Sequence, residues 1–361
     1  MKPRSARKKF RVRMGVGTNK EVFPMSRYEK AILVGVDGSD AAYKAVWWAA
    51  NYAHHAGLTL HIVSAYTLPS YSSVSFDNTF TAPGDDAASR RDAQEILSRA
   101  KAIATKQGVE VTTLIVTGEP SAVFIELSRN YNLVVIGNRG KGGLAERLLG
   151  TTSSSLPAYA YCPIVVVPYT DDEGNKVHLN NQITHVVVNS DESKWGVKAL
   201  EIAAEFAHSW GARLQVISAV PMLGSLSDED MQSVKDSYTD DLHARLAPLR
   251  AKYPQLDVEE QVAVGASVDA LEAALSDNDI VVVGSRGRGG LTGLLFGSVS
   301  QSLLQHSDKP VYVVPRRYVL AEENEMHDEP LTDIGGVESV QVEQAEVSEL
   351  ESLERTIDPR R

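Results

Sequence analysis

The chain has 361 residues, 43% of them hydrophobic and 23% charged, which is the composition of an ordinary soluble protein with two or three domains. Its only cysteine, Cys162, excludes an intrachain disulfide framework and is interpreted as a small strand-edge residue rather than a reactive thiol. No Cys/His spacing is typical of a metal site, and no apolar stretch or secretory signal indicates a membrane or export. We therefore expect a cytoplasmic protein without membrane contact.

The net charge of −11 is unevenly distributed along the chain. Residues 1–13 are strongly basic, residues 321–361 are acidic and nearly free of aromatics, and the mildly acidic middle argues against nucleic-acid binding. The basic start is either an arm for nucleic acid or an anionic membrane or, the favoured interpretation, a solvated tail or an artefact of an upstream start codon. The acidic end predicts disorder, in which VEQAEVSELESLERT can form one marginal helix on a partner.

From Lys30 onward, strands and helices are predicted to alternate. AILVGVD is a buried strand ending in Asp37, and the helix after it has Ser39 as N-cap and Gly57 as its stop. The second strand, LTLHIVSAY, precedes a long polar loop. The further expected elements are a helix at 88–107, a strand at 109–116, a helix at 119–130, a strand at Val134, a helix at 151–160 and a last strand at Ile164–Val167. This alternation predicts a parallel sheet with helices on both faces.

The second half of the chain repeats the first. THVVVNSDES aligns with AILVGVDGS, which places Asp191 on Asp37, and later in the repeat Gly284 falls on Gly137. The predicted organisation is therefore a tandem duplication of two domains of ordinary size. Its segments are a basic tail at 1–27, a first domain at 28–169, a polar linker at 170–182, a second domain at 183–317 and an acidic, disordered tail at 318–361.

Each half carries the same glycine motif after a buried strand: Gly, two residues, Gly, nine residues, Gly, then Ser or Thr. The copies are Gly137, Gly140, Gly150 and Thr151, and Gly284, Gly287, Gly297 and Ser298. Glycine permits positive φ and close approach of N–H groups to an anion, and the helix that starts at the last glycine points further N–H groups at it. The hydroxyl at the end of each motif either caps that helix or donates to a phosphate. A Gly-rich surface turn is the alternative, which the two matching copies disfavour.

With Asp37 after the first strand and both motifs complete, roughly residues 28–317 resemble the universal stress protein family, specifically its tandem-domain, ATP-binding members. The resemblance implies two doubly wound α/β domains, each a five-stranded parallel sheet of order 3-2-1-4-5 with helices on both faces. ATP would lie at the C-terminal ends of strands 1 and 4. The last strands of the two domains would pair with each other, and separately expressed halves or whole chains would form dimers.

The resemblance also implies which residues contact ATP. In the first half they are Gly35, Asp37, Ala65, Gly137, Asn138, Arg139, Gly140, Lys141, Gly142, Gly143, Gly150, Thr151 and Thr152. In the second half they are Asn189, Asp191, Ala219, Gly284, Ser285, Arg286, Gly287, Arg288, Gly289, Gly290, Gly297, Ser298 and Val299.

Asp37 and Asp191 are predicted with equal weight to ligate Mg²⁺ or to cap a helix. Each half departs once from the pattern expected for a tight site. In the second half Glu192 adds a negative charge near the phosphates, and in the first half Pro157 falls inside a predicted helix. The first site is expected to be the tighter of the two.

The leading functional hypothesis is an ATP-binding stress or dormancy regulator that acts on an unidentified protein partner, with slow or no hydrolysis. Cationic phosphate binders such as Arg139 and Arg286 lie near the loops, but no general base is evident. The alternative is an ATPase or nucleotidyl-transferring enzyme of similar fold, for which no catalytic residue can be named. A flavodoxin-like cofactor protein fits the glycine spacing poorly.

Overall fold

The computed structural model describes residues 28, 30–67, 84–140, 149–170, 174–179, 181–220, 227–265, 267–275, 279–287, 296–327 and 341–344. The strands are β1 (Ala31–Gly35), β2 (Thr59–Tyr66), β3 (Val111–Thr117), β4 (Val134–Gly137), β5 (Ile164–Val167), β6 (His185–Asn189), β7 (Arg213–Val220), β8 (Val258–Val264), β9 (Asp279–Gly284), β10 (Val311–Val314) and β11 (Gln341–Gln344). The helices are α1 (Asp40–Ala56), α2 (Gly84–Thr105), α3 (Pro120–Leu127), α4 (Thr151–Tyr159), α5 (Lys194–Trp210), α6 (Asp228–Lys252), α7 (Ser267–Ala274), α8 (Ser298–His306) and α9 (Arg316–His327).

All described strands belong to one sheet, whose order is β11-β3-β2-β1-β4-β5-β10-β9-β6-β7-β8. Within each half the pairs are parallel and the order 3-2-1-4-5 is confirmed. The halves join through β5 and β10, which run antiparallel with Val165 opposite Tyr312 and Val166 opposite Val311. This confirms the predicted pairing of the last strands and relates the two halves by a pseudo-two-fold axis.

Two buried clusters, one on each face of the sheet, form the core. One contains apolar side chains of α1, α2, α5 and α6, and the other contains those of α3, α4, α7 and α8. The interior strands β1, β5, β6 and β10 are almost wholly buried, as expected for parallel strands covered by helices on both faces. The prediction of helices on both faces is therefore confirmed.

The first helix of each half is capped as its sequence indicates. The Ser39 hydroxyl accepts a hydrogen bond from the N–H of Ala42, and α1 ends at Gly57 with φ of 65°. Its counterpart α5 has Ser193 at the N-cap and Gly211, with φ of 62°, at the C-cap. The left-handed conformation at both C-caps explains why each helix stops at a glycine.

Some element boundaries differ from the predicted ones. Helix α2 already begins at Gly84, and α3 already ends at Leu127, where the Ser128 hydroxyl at the C-cap donates to the Ile125 carbonyl. Pro157 lies inside α4, as predicted, and the helix ends two residues later at Tyr159. Its missing N–H falls near the end of a short helix, so the helix loses one bond instead of being divided.

The acidic tail is more ordered than predicted in two places. Helix α9 continues past the expected domain end at 317, and residues 341–344 form β11, which lies antiparallel to β3 with Gln341 opposite Thr117. The prediction of disorder is wrong there because composition does not register the unpaired backbone groups that an edge strand such as β3 offers. The tail at 1–27, most of the proposed marginal helix and the loop at 68–83 lie outside the described residues.

Aromatic rings from both halves meet where the halves join. Tyr52 on α1 stacks on Phe206 of α5 at 5.7 Å between ring centroids, and His55 stacks on Trp210 at 3.8 Å. Phe206 also meets the edge of Tyr312 on β10 at 5.9 Å. The halves are therefore held together by strand pairing and by a packed aromatic contact beside it.

The chain leaving each domain is held by a lysine on the first helix of that domain. In the first half Lys44 donates to the carbonyl of Val177 in the linker, and burial lowers the pKa of Lys44 to about 8. The equivalent Lys198 lies 2.8 Å from Glu322 of α9 and 3.4 Å from Glu201. Burial lowers the pKa of Lys198, but the hydrogen bonds and charges of these two carboxylates outweigh it and raise that pKa above its usual value.

These two lysines are expected to affect stability differently in alkaline solution. Above about pH 8 folded Lys44 is neutral while the unfolded chain still binds its proton, so the free energy of unfolding that Lys44 contributes rises towards about pH 10. The raised pKa of Lys198 leaves its contribution constant over that range and lost only at higher pH. Urea unfolding of wild type, Lys44→Met and Lys198→Met at several pH values tests this. Identical pH dependence for the two variants would contradict it.

Candidate functional site

The candidate site of each half lies at the C-terminal ends of two neighbouring parallel strands. In the first half these are β1 and β4, and in the second half β6 and β9. The strand order reverses between them, since the chain proceeds to β2 on one side and to β5 on the other. Such a switch point leaves a crevice outside the sheet in which ligands of α/β proteins bind.

The first glycine of each motif lets a helix approach the sheet closely. A methyl group on Gly137 would lie 2.7 Å from the carbonyl carbon of Ala41, and one on Gly284 would lie 2.8 Å from Cβ of Trp195. Gly137 and Gly284 therefore seat α1 and α5 on their strands, and their place in a phosphate cradle stays a prediction. The described motif glycines also have no positive φ, so that expectation is wrong for them.

The second and third glycines of each motif bring two backbone segments together. A methyl group on Gly150 would lie 3.6 Å from the Gly140 nitrogen, and one on Gly297 would lie 3.4 Å from the Gly287 nitrogen. The end of β4 thus meets the start of α4, and the same holds for β9 and α8. The remaining predicted loop residues, Lys141, Gly142, Gly143, Arg288, Gly289 and Gly290, lie outside the described part of the chain.

A serine two residues into each helix fixes this junction. Ser153 donates to the carbonyl of Asn138 at 2.8 Å, and Ser300 donates to the carbonyl of Ser285 at 3.1 Å. The helix N-caps are Gly150 and Gly297, without a side-chain cap, so the alternative in which Thr151 and Ser298 cap these helices is wrong, and donation to a phosphate stays a prediction. Thr151 and Ser298 are exposed, Thr152 and Val299 half-buried, at helix starts whose first N–H groups have no partner within the helix.

Asp37 holds the N-cap serine and also faces the glycine loop. Its Oδ1 accepts from the N–H and the hydroxyl of Ser39, at 2.9 and 2.6 Å. Its Oδ2 would lie 2.6 Å from a methyl group on Gly140. Since Ser39 is the N-cap, the interpretation of Asp37 as the cap itself is wrong.

The second half repeats this arrangement. Asp191 Oδ1 accepts from the N–H of Ser193 at 3.0 Å, and Ser193 caps α5. Asp191 Oδ2 would lie 2.6 Å from a methyl group on Gly287. In both halves one carboxylate oxygen is therefore turned towards the start of the loop. Among the residues described, no group of three His, Cys, Asp or Glu side chains forms a metal site by itself.

Arg139 and Arg286 precede the second glycine of each motif and are half-buried. The Ser39 hydroxyl lies 3.4 Å from the Arg139 carbonyl, which links the cap of α1 to this loop. The backbone of the loop is thereby positioned from both sides, by α1 and by α4. The structure brings this arginine and the aspartate of its own half to one edge of the sheet.

The end of the first strand differs between the halves, whereas the residue near the end of the second strand is the same. Gly35 lies under the ring of Phe124, because a methyl group there would be 2.7 Å from the ring carbon Cζ. In the second half Asn189 and Leu271 occupy the equivalent positions. Ala65 and Ala219, at the ends of β2 and β7, are half-buried in both. Phe124 was not predicted from the sequence, although Gly35 is exchanged for Asn189 and Phe124 for Leu271 in the aligned halves.

Tyr169, the last residue before the linker, was also not predicted as part of the site. Its N–H donates to Asn138 Oδ1 at 3.2 Å, and its hydroxyl donates to Asp40 Oδ2 at 3.1 Å. In the second half, Ser285 replaces Asn138, and its buried hydroxyl has no hydrogen-bond partner among the described residues. Among the described residues, the side chain of the loop residue after the fourth strand therefore holds the chain that leaves the domain in the first half and not in the second.

Each half combines a switch-point crevice with a glycine loop that meets a helix N-terminus, and the two halves form a tandem pair of α/β domains. The model of the universal stress protein family matches residues 29–168 and 182–315. The chain therefore belongs to the universal stress protein family, and it contains the family domain twice.

Curated relatives and a solved structure agree with this assignment. The chain is 31% identical over 293 residues to universal stress protein Rv2005c of Mycobacterium tuberculosis, covering 80% of this chain and 97% of the relative. It is 32% identical over 304 residues to a universal stress protein of Mycolicibacterium smegmatis, covering 81% and 99%. A universal stress protein structure from Archaeoglobus fulgidus shares the fold, with a TM-score of 0.58, 21% identity and coverage of 80% and 98%. None of the helices in the described ranges has the length and apolarity to cross a membrane.

Proposed function

We propose that the protein is a cytoplasmic stress regulator that binds one ATP in each half, with slow or no hydrolysis. One observation carries the proposal. In both halves, the start of the glycine loop, the N-terminus of the following helix and one oxygen of an aspartate converge at the same edge of the sheet. A duplicated arrangement of this kind is difficult to explain as a surface turn, since a turn needs neither the close glycine contacts nor the facing carboxylate.

The chemistry of the convergence suits a nucleoside triphosphate. The first N–H groups of α4 and α8, which have no partner within the helix, attract phosphate oxygens, and Arg139 and Arg286 supply cationic donors in the same loops. Asp37 and Asp191 turn an oxygen towards the same place, which would be repulsive to a phosphate alone. Carboxylate and phosphate oxygens together suit Mg²⁺, so these aspartates would hold the ion that accompanies the triphosphate.

Native mass spectrometry of the full chain with ATP and Mg²⁺ tests the proposal directly. Two ATP molecules per chain are expected at saturation, and incubation with γ-labelled ATP should release phosphate slowly or not at all. A chain that binds no ATP, or rapid multiple turnover, would contradict the proposal. The same spectra report whether the protein forms the predicted homodimer, on which ATP binding does not depend.

The charge of Asp37 is expected to matter for ligand binding and not for folding. In Asp37→Asn the amide oxygen still accepts from Ser39, which remains the cap of α1, so the melting temperature without nucleotide should hardly change. ATP binding in the presence of Mg²⁺ should weaken by about 1.5–3 kcal/mol, the usual value of a charged hydrogen bond, or roughly tenfold or more.

The measurement is calorimetric titration of the first site, with the second silenced by Gly287→Asp, with and without Mg²⁺. The Mg²⁺-dependent part of the affinity should decrease selectively. If ATP affinity is the same as in the parent with and without Mg²⁺, Asp37 has no part in the site.

A further inference from the structure

The two crevices differ most at the last residue of their first strand. In the first half Gly35 ends β1, and the buried ring of Phe124, only 4% exposed, fills the space that a side chain would need. In the second half Asn189 ends β6, and the smaller, fully buried Leu271 stands where Phe124 would be. Both positions therefore differ between the halves. The smaller Leu271 leaves room in the second half for the polar side chain of Asn189 at the end of the first strand.

The backbone does not explain why this residue is an asparagine. Asn189 continues the regular parallel ladder, opposite Ile217 of β7, so no unusual conformation calls for this residue type. Its amide makes no hydrogen bond with any residue that the structure describes, and the residue is half-buried. A partly buried amide without a protein partner is costly unless water or a ligand satisfies it.

The position of this amide places it beside the helix of the candidate site. Side chains alternate along a strand, so Asn189 lies on the same face of the sheet as Val187. That face carries the cluster containing Val187, Leu271 and Leu303 of α8. The amide and the N-terminus of α8 therefore share one face and one edge of the sheet, where a single elongated ligand can reach both.

We propose that Asn189 makes the second crevice selective for the adenine base, whereas the first, closed by Phe124 against Gly35, lacks a side chain that reads the base there. This inference rests on the proposed nucleotide binding. An amide offers a donor and an acceptor side by side, which match N7 and the exocyclic amino group of adenine. At the same edge guanine presents two acceptors, N7 and O6, so one of the two hydrogen bonds is lost in either orientation of the amide.

The test compares ATP with GTP in each crevice separately. Gly140→Asp leaves the second crevice active, and Gly287→Asp leaves the first. The ratio of GTP to ATP dissociation constants should be about five- to 150-fold larger in the second crevice, the range that one bidentate amide–base pair provides. Asn189→Leu, a substitution of similar volume made in the Gly140→Asp background, should weaken ATP binding, leave GTP binding nearly unchanged and reduce the ratio to that of the first crevice.

Melting curves without nucleotide show that each variant is folded. Equal ratios in the two crevices, or a ratio that survives Asn189→Leu, would overturn the inference while leaving nucleotide binding intact. If the second crevice binds neither nucleotide but the first binds ATP, the inference also fails. Loss of binding in both backgrounds, with no ATP bound by the wild type, would instead overturn the proposed function together with it.

Discussion

Replacing Gly140 by aspartate is expected to abolish nucleotide binding in the first half and leave the second half unaffected. Even a methyl group at this position would lie 2.6 Å from Asp37 Oδ2, so the new side chain must displace that carboxylate or the loop. An aspartate adds a second negative charge at the point where the phosphates are proposed to bind. Juxtaposed like charges cost several kcal/mol, so the first-site affinity should fall at least about 100-fold.

Calorimetry should therefore show one ATP site per chain in place of two. Gly287→Asp is the matched variant, because Gly287 has the same 2.6 Å relation to Asp191. Gly140→Ala separates crowding from charge and should weaken the first site less than aspartate does. Neither Gly140 nor Gly287 has a positive φ, so the substituted backbone is not strained and the protein should remain folded. If either aspartate variant still binds two ATP molecules, the loop does not hold the phosphates.

Much of the site was predictable because its signal is a spacing along the chain. The repeated glycine motif located both loops and the starts of α4 and α8. The separate tasks of the glycines were not predictable, because they depend on contacts far apart in sequence. Gly137 is small because Ala41 lies against it, and Gly140 because Asp37 does. Positive φ was expected because it depends on the glycine alone. These glycines are instead required because residues distant in sequence lie too close for a side chain.

The role of Asp37 was likewise not predictable from the sequence, although the residues concerned are close together in the chain. Asp and Ser are both good N-caps, so the sequence DGSD allowed either residue to cap α1. The structure gives the cap to Ser39 and uses Asp37 Oδ1 to hold that serine, which leaves Oδ2 directed at the loop. The sequence contained both candidates, but only the relative position of the loop distinguishes them.

The fold itself was predictable because two independent copies of one strand–helix alternation agreed. The error lay in the acidic tail, where composition predicted disorder and β11 pairs with β3. Composition reports whether a segment can bury its own apolar surface, and residues 341–344 do not need to do so. They add to an existing edge, whose unpaired N–H and C=O groups are invisible to any local pattern.

Tyr312→Ala is expected to have the largest effect on stability among the substitutions considered. Tyr312 is 6% exposed in β10, lies opposite Val165 of the other half and meets the ring of Phe206. Removing a buried aromatic ring costs about 3–5 kcal/mol because the cavity is only partly refilled. Since this ring lies where the halves join, its removal should weaken the interface between the halves as well as the second domain.

Differential scanning calorimetry distinguishes this from an ordinary core defect. Wild type should unfold with the two halves coupled, and Tyr312→Ala should unfold at lower temperature and with two resolved transitions. Tyr312→Phe keeps the ring, its packing on Phe206 and the β5–β10 ladder, so it should behave nearly as wild type. If the alanine variant is as stable as the phenylalanine variant, the aromatic contact does not hold the halves together. If it melts lower but in one transition, Tyr312 stabilises the fold without coupling the halves.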